Sequence, residues 1–433
     1  MGTGEGRRRA RPGAGIRVSR ERLQPLGAMG AFFGVGLLAF AVIPLWIMYS
    51  ARELASGILV HPKVVLLAHL YALGWGGFVA LGALRQLAPV VFQAEVRPPS
   101  GSQRAGFAGL AGGFVLFAAG IASRRYAIAA LGGALMTAAF VLNFALVAAS
   151  ARAKQRRSVI EWFAAPAALS LVLTGAVGTL AALDRTAGVL RGAWSMALAS
   201  HLYLGPLGFY GLLVLGVTYE LAPFFGLTRS GDDKGLGRYD RTVLLLLLAG
   251  LAAGWGTFLV GASRPAFLLP VAAALVLFVV DLRGIFGRRD PMRRTATLAG
   301  VRASHSYLLV VAAMIAAGAI APGLWSRAAW IRAFAWLITA GWLSNAITGY
   351  LHRILPFVAW HNRYWGKPKE EIRTRFQDMV SQRLGKWGVY IYNAGVIAVL
   401  ASFESAATLA FASGLLAAGS WILVYNLARV FFR

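Results

Sequence analysis

Apolar residues in this chain come in long unbroken blocks, separated by short polar stretches. Residues 28–50, "AMGAFFGVGLLAFAVIPLWIMYS", pass without a single charge. That exceeds the roughly 20 residues needed to cross the hydrocarbon core of a bilayer. Blocks of the same kind cover 28–49, 64–92, 105–123, 126–150, 161–183, 194–225, 242–262, 265–282, 303–322, 328–360, 387–405 and 408–430. The pattern predicts an all-α polytopic membrane protein with twelve transmembrane helices. It places a basic tail at 1–27 before a single membrane domain at 28–433, with links too short for a soluble domain. The first block is too long for the apolar core of a cleavable signal peptide and reads as an uncleaved signal anchor.

Within the blocks one short pattern recurs. "GALRQLAP" at 82–89 is echoed by "GVTYELAP" at 216–223 and "GYLHRILP" at 349–356. The three begin on Gly82, Gly216 and Gly349 and end on Pro89, Pro223 and Pro356, at nearly equal intervals that divide the chain into thirds. Each copy closes the second helix of a set of four, so the repeats run over roughly 28–150, 161–282 and 303–430. Four is even, so all three sets enter the membrane the same way round. A pseudo-threefold arrangement about the membrane normal follows, unlike the two-part repeats of many transporters. The glycine is expected to let helices approach closely, and the proline to end or kink its helix at the boundary. The pairs Arg85/Gln86, Tyr219/Glu220 and His352/Arg353 are expected to form a polar collar that snorkels to the interface, or else an entrance for protons or ions.

Composition agrees with the blocks: 58% of residues are hydrophobic and only 14% charged, against about a quarter charged in soluble domains. The net charge of +27 is concentrated in the tail "GRRRARPGAGIRVSRER" and the links "SARAKQRRS", "RGIFGRRDPMRR" and "HNRYWGKPKEEIRTRFQDMVSQRLGK". These all fall on one side of a twelve-helix topology. By the positive-inside rule that side is cytoplasmic, which puts both termini inside a prokaryotic cytoplasmic membrane. Anionic lipid headgroups are the expected partners of this charge rather than nucleic acid. The loop 361–386 is expected to carry a short amphipathic surface segment. The absence of cysteine excludes disulfides, thiolate metal sites and covalent c-type haem.

Six histidines remain as candidate ligands, and an imidazole inside a bilayer is costly unless it has a partner. His61 and His361 fall at predicted interfaces and read as solvated. His69 and His201 open the second and sixth helices in related strings, "LAHLYALGWGGFVALGALRQLAP" and "ASHLYLGPLGFYGLLVLGVTYELAP". The interval from His201 to Pro223 is two positions longer than that from His69 to Pro89. Two positions turn a helix by about 200°, so the two rings need not be symmetry mates. Both are candidates for haem or copper ligation, with a hydrogen bond to a neighbouring helix as the plain alternative. His305 and His352 are weaker metal candidates.

A His near the outer end of helix 2, a glycine-rich apolar stretch, then Gly82 and Pro89 toward the inner end resembles helix II of haem–copper oxidase subunit I. That family also has twelve helices in a pseudo-threefold ring of four-helix arcs. The resemblance implies that His69 is an axial ligand to a non-covalent, b-type haem. Other parts of the family pattern are missing. The helix that should supply a His pair reads "IRAFAWLITAGWLSNAITG", with Trp336 as far before Pro356 as His69 is before Pro89. The helix that should supply copper ligands, "RTVLLLLLAGLAAGWGTFLVGASR", has no His. An oxygen-reducing haem–copper centre is therefore not expected. His201 could be a copper ligand, or a second axial ligand that completes a haem between helices 2 and 6. Haem- and copper-bearing membrane proteins linked to nitric oxide stress share the helix count without an extended motif. The resemblance also implies respiratory partner subunits or an electron donor, and suggests a proton-uptake role for Glu95. Two other functions fit the same blocks: a transporter or channel, and a cofactor-free accessory subunit of a respiratory complex.

Overall fold

The computed structural model describes residues 26–91, 100–151, 158–225, 236–259, 265–287, 295–364 and 366–432. Every regular element among them is helical. Helix α1 is Leu26–Tyr49; α2 covers 62–91; α3 is Ser100–Ala122; α4 is Tyr126–Ala151; α5 is Val159–Ala187; and α6 covers 194–225. Then come α7 (Arg238–Leu259), α8 (Leu268–Gly287), α9 (Ala296–Ile320), α10 (328–364), α11 (Gln382–Ala401) and α12 (Ala406–Phe432). Among the described residues, ten of these are long and apolar enough to cross a membrane. The other two are α7, which opens on Arg238, Asp240 and Arg241, and α10, which carries Arg332, Asn345, His352 and Arg353.

Local chemistry sets the ends. Ser158 and Glu161 form a reciprocal capping box on α5, satisfying two of the backbone donors that every helix start leaves open. Thr295 caps α9 and Ser381 caps α11 through their hydroxyls. Gly188 closes α5 in the left-handed conformation, φ 61°, which costs a glycine nothing. At the same end of the bundle Arg332 of α10 is buried. It donates to the carbonyls of Leu54, Ala55 and Phe403 and to Glu404, tying a short helical turn after α1 to the α11–α12 link.

The neighbour relations repeat along the chain. α1 packs on α2, α5 on α6 and α9 on α10; α2 also meets α4, α6 meets α8, and α10 meets α12. The sets join where α4 packs on α5, α8 on α9, and α12 back on α1. The motif glycines lie at matching contacts. A Cβ on Gly82 would press on Phe32 and Phe33 of α1, one on Gly216 on Phe163 of α5, and one on Gly349 on the backbone of Val301 and Thr297 of α9. Each therefore sets how closely the first two helices of its set approach.

Several expectations need correction. The prolines do not end their helices: α2 runs on to Val91, α6 to Phe225 and α10 to Tyr364. Pro356 removes one ladder bond, which a helix embedded among other helices tolerates. Four of the six residues in the polar pairs do not snorkel: Arg85, Gln86, Tyr219 and His352 are buried, while Glu220 and Arg353 are half-buried. Arg85 donates to Asn143 of α4 at 2.9 Å, and Nε2 of His352 accepts from Asn426 of α12 at 3.2 Å. Tyr219 packs edge-on to Phe278 of α8, with ring centroids 5.3 Å apart. These side chains lock each second helix to the fourth of its set. His361, expected in solvent, is buried against Phe357. The 366–381 link forms two 3₁₀ turns, Lys369–Glu371 and Phe376–Met379. It is pinned by the Trp360 indole, which donates to the Thr374 carbonyl at 2.7 Å.

Candidate metal centre

Helices α2, α6 and α10 share a feature that no composition argument predicts. Each contains a π-helical stretch, at Leu70–Gly77, Leu204–Gly211 and Leu337–Leu343. All three begin at the same interval before the motif proline, from Leu70 to Pro89, Leu204 to Pro223 and Leu337 to Pro356. A π turn holds an extra residue against the helix ladder, and such turns concentrate at functional sites. The position just before each stretch is His69, Tyr203 or Trp336. Tyr203 donates to the Gly250 carbonyl of α7 at 2.7 Å, and Trp336 donates to the Val396 carbonyl of α11 at 2.9 Å. His69 faces the matching helix, α3, with its ring 4.5 Å from that of Phe117.

His201, two positions before Tyr203, points the opposite way, back toward α2. The imidazoles of His69 and His201 stand with centroids 5.8 Å apart and planes inclined by 30°. Each ring is fixed by its Nδ1. In His69 this nitrogen donates to the Val65 carbonyl at 2.8 Å, one turn earlier on α2. In His201 it donates to the Thr174 carbonyl of α5 at 2.9 Å. A carbonyl can only accept, so the proton resides on Nδ1 and the lone pair on Nε2. Ligating histidines show this arrangement, with the second nitrogen anchored to a backbone oxygen. Gly178, one turn after Thr174, makes the space: a Cβ there would lie 2.7 Å from Cε1 and Nδ1 of His201.

The spacing suits one shared ion. A metal–nitrogen bond of about 2.0–2.1 Å on each side, plus the ring radius, puts two imidazole centres about 6.4 Å apart with the ion on the line between them, and closer when the nitrogens meet it at an angle. Among the described residues no group of three or more His, Asp or Glu side chains could hold a metal. Below the pair, the Tyr210 hydroxyl of α6 donates to the Ala72 carbonyl in the π turn of α2, joining the two histidine-bearing helices. Both residues are half-buried.

The other histidines stay apart from this centre. His352 has both nitrogens engaged, Nδ1 with the Thr348 carbonyl at 2.7 Å and Nε2 with Asn426. His305 is buried edge-on to Phe278, with centroids 5.7 Å apart. His61 caps α2, accepting from the Lys63 amide at 3.3 Å. Glu95 lies outside the described residues. Sequence patterning missed Thr174, Gly178 and Phe117, whose roles depend on which helices become neighbours. The chain matches no known family model and no curated protein.

Proposed function

We propose that this chain is a twelve-helix protein of the prokaryotic cytoplasmic membrane, with both termini inside. Its helices form three four-helix sets around an axis normal to the bilayer. It holds a b-type haem between His69 and His201, in a divergent relative of haem–copper oxidase subunit I with a redox, electron-transfer or gas-related role.

The observation that carries this reading is the pair itself: two imidazoles from distant parts of the sequence, 5.8 Å apart, each anchored through Nδ1. The donor set fits a haem better than a bare ion. A structural or catalytic zinc takes three or four protein ligands, whereas a low-spin haem needs only two axial imidazoles because the macrocycle supplies the rest. When bound, haem supplies one-electron chemistry at its iron. The chain's own part is to fix both ring tautomers through Val65 and Thr174, to hold the helices together through Tyr210 and Ala72, and to wall the site with Phe117. Trp336 and Tyr203, at the register of His69, are committed to backbone carbonyls, which favours a single centre between α2 and α6. The bilayer is the surrounding partner, and an electron donor or respiratory subunit would complete the function.

The test is a reduced-minus-oxidised spectrum of detergent-purified protein, with a pyridine haemochrome assay and metal analysis on the same sample. Sharp α and β bands with about one haem per chain, lost in His69→Ala and in His201→Ala, are expected. Copper without haem would transfer the pair to a two-coordinate copper site. A protein that stays colourless and metal-free after haem supplementation would refute the reading and favour a transporter, channel or accessory subunit.

A further inference from the structure

Where α2, α6 and α10 converge, below the level of the histidines, they leave a cavity of about 70 Å³. Its wall includes Gly76 and Ala80 of α2, Leu213 of α6, and Leu343, Ala346 and Tyr350 of α10. Small residues open the space: Gly76 is held at its size because a Cβ would meet the Tyr210 hydroxyl at 2.8 Å, and Ala80 and Ala346 reach little further. Space is not what limits water here, since a single water needs only about 10–15 Å³ in the same measure. Polarity is. A buried water requires two to four polar partners, and both hydroxyls on this wall have already given away their one proton, leaving only acceptor oxygens. Tyr210 donates to the Ala72 carbonyl, and Tyr350 donates to the Thr218 hydroxyl at 2.7 Å. The remaining wall side chains are aliphatic. Apolar cavities of this kind stay dry and take up apolar guests.

We propose that this junction is a binding site for one uncharged, apolar molecule of very few heavy atoms, independent of any metal at the histidine pair. Its place matters: the three walls belong to the three helices that carry the π turns, so a guest contacts all of them at once. The ligand is recognised by size and lack of polarity alone.

Xenon is the probe. Structures of the full-length protein under xenon pressure, alongside ¹²⁹Xe exchange in detergent solution, should show one saturable site at the junction. Ala346→Leu should abolish it by filling the space, and Ala80→Leu, from a different helix, should do the same; thermal melting checks that each variant folds. Ordered water in the cavity would overturn the proposal, as would a co-purified lipid chain lying along it. So would xenon uptake that survives both filling variants, or no xenon in the wild-type protein.

Discussion

Replacing Gly178 by Ala perturbs the histidine pair without touching a ligand. The new Cβ would lie 2.7 Å from Nδ1 and Cε1 of His201, where ordinary contact begins near 3.4 Å, so the ring must withdraw by about 0.7 Å. Thr174 precedes Gly178 by one turn of α5, and its carbonyl points along the helix toward residue 178. Moving away from one therefore means moving away from the other. The Nδ1–Thr174 bond, now 2.9 Å, would stretch beyond the distance at which a hydrogen bond survives. The ring then loses its anchor and the aim of its Nε2 lone pair. Loss of such an outer partner lowers metal affinity about 10–100-fold, or about 1.4–2.7 kcal/mol. Titration of haemin into the apoprotein, followed in the Soret region, measures this directly. Gly112→Ala is the control, because a Cβ there meets nothing within 4 Å. If Gly178→Ala binds haemin as tightly as Gly112→Ala, with an unchanged spectrum, the orientation argument fails.

Three further outcomes are expected. Arg332→Met leaves the Leu54, Ala55 and Phe403 carbonyls without their charged donor and should cost about 2–4 kcal/mol in thermal or denaturant unfolding. The Glu404 contact contributes little of this, since that side chain is 78% exposed. Asn426→Leu deprives His352 and the Ser381 amide and carbonyl of a buried partner; it should destabilise by about 2–3 kcal/mol and leave haemin binding intact. Glu53, held below the usual carboxylate range by its hydrogen bond from Lys63, should contribute a small stability increment that is present above the ordinary glutamate range. The increment is lost as pH falls through the lowered value, because the unfolded state takes up the proton first. Melting curves of wild type and Glu53→Gln should differ near neutral pH and converge in acid.

The helices were legible because a bilayer demands apolar length, and length survives any uncertainty about neighbours. The spacing of Gly82, Gly216 and Gly349 was legible for a related reason: equal intervals in sequence became equal contacts with α1, α5 and α9. The fate of the prolines was not, since a helix tolerates Pro356 only through neighbours that no single helix specifies. Nor was the orientation of the polar pairs, because Asn143 and Asn426 sit two helices downstream of Arg85 and His352 and signal nothing locally. The histidine pair was half legible. His69 and His201 stand out as imidazoles in apolar helix, and their offset of two positions says only that they need not be symmetry mates. The structure explains the offset. Tyr203, at the register of His69, turns toward α7, so a side chain on α6 that reaches back to α2 must lie about half a turn away. An offset of two supplies that half turn.

The π turns have one more consequence. Each holds a spare residue between an amino-terminal half of the helix, which carries His69, Tyr203 or Trp336, and a carboxy-terminal half, which carries the Gly-to-Pro motif. Deleting one residue from 70–77 would let the ladder close as plain α-helix and leave His69 close to its present direction relative to Gly82, because the wider turn already takes up the spare residue. The two halves of each helix are thus geared separately. A single residue gained or lost can be taken up at the turn, so that the side chains on one side of it keep their aim while the packing on the other keeps its register.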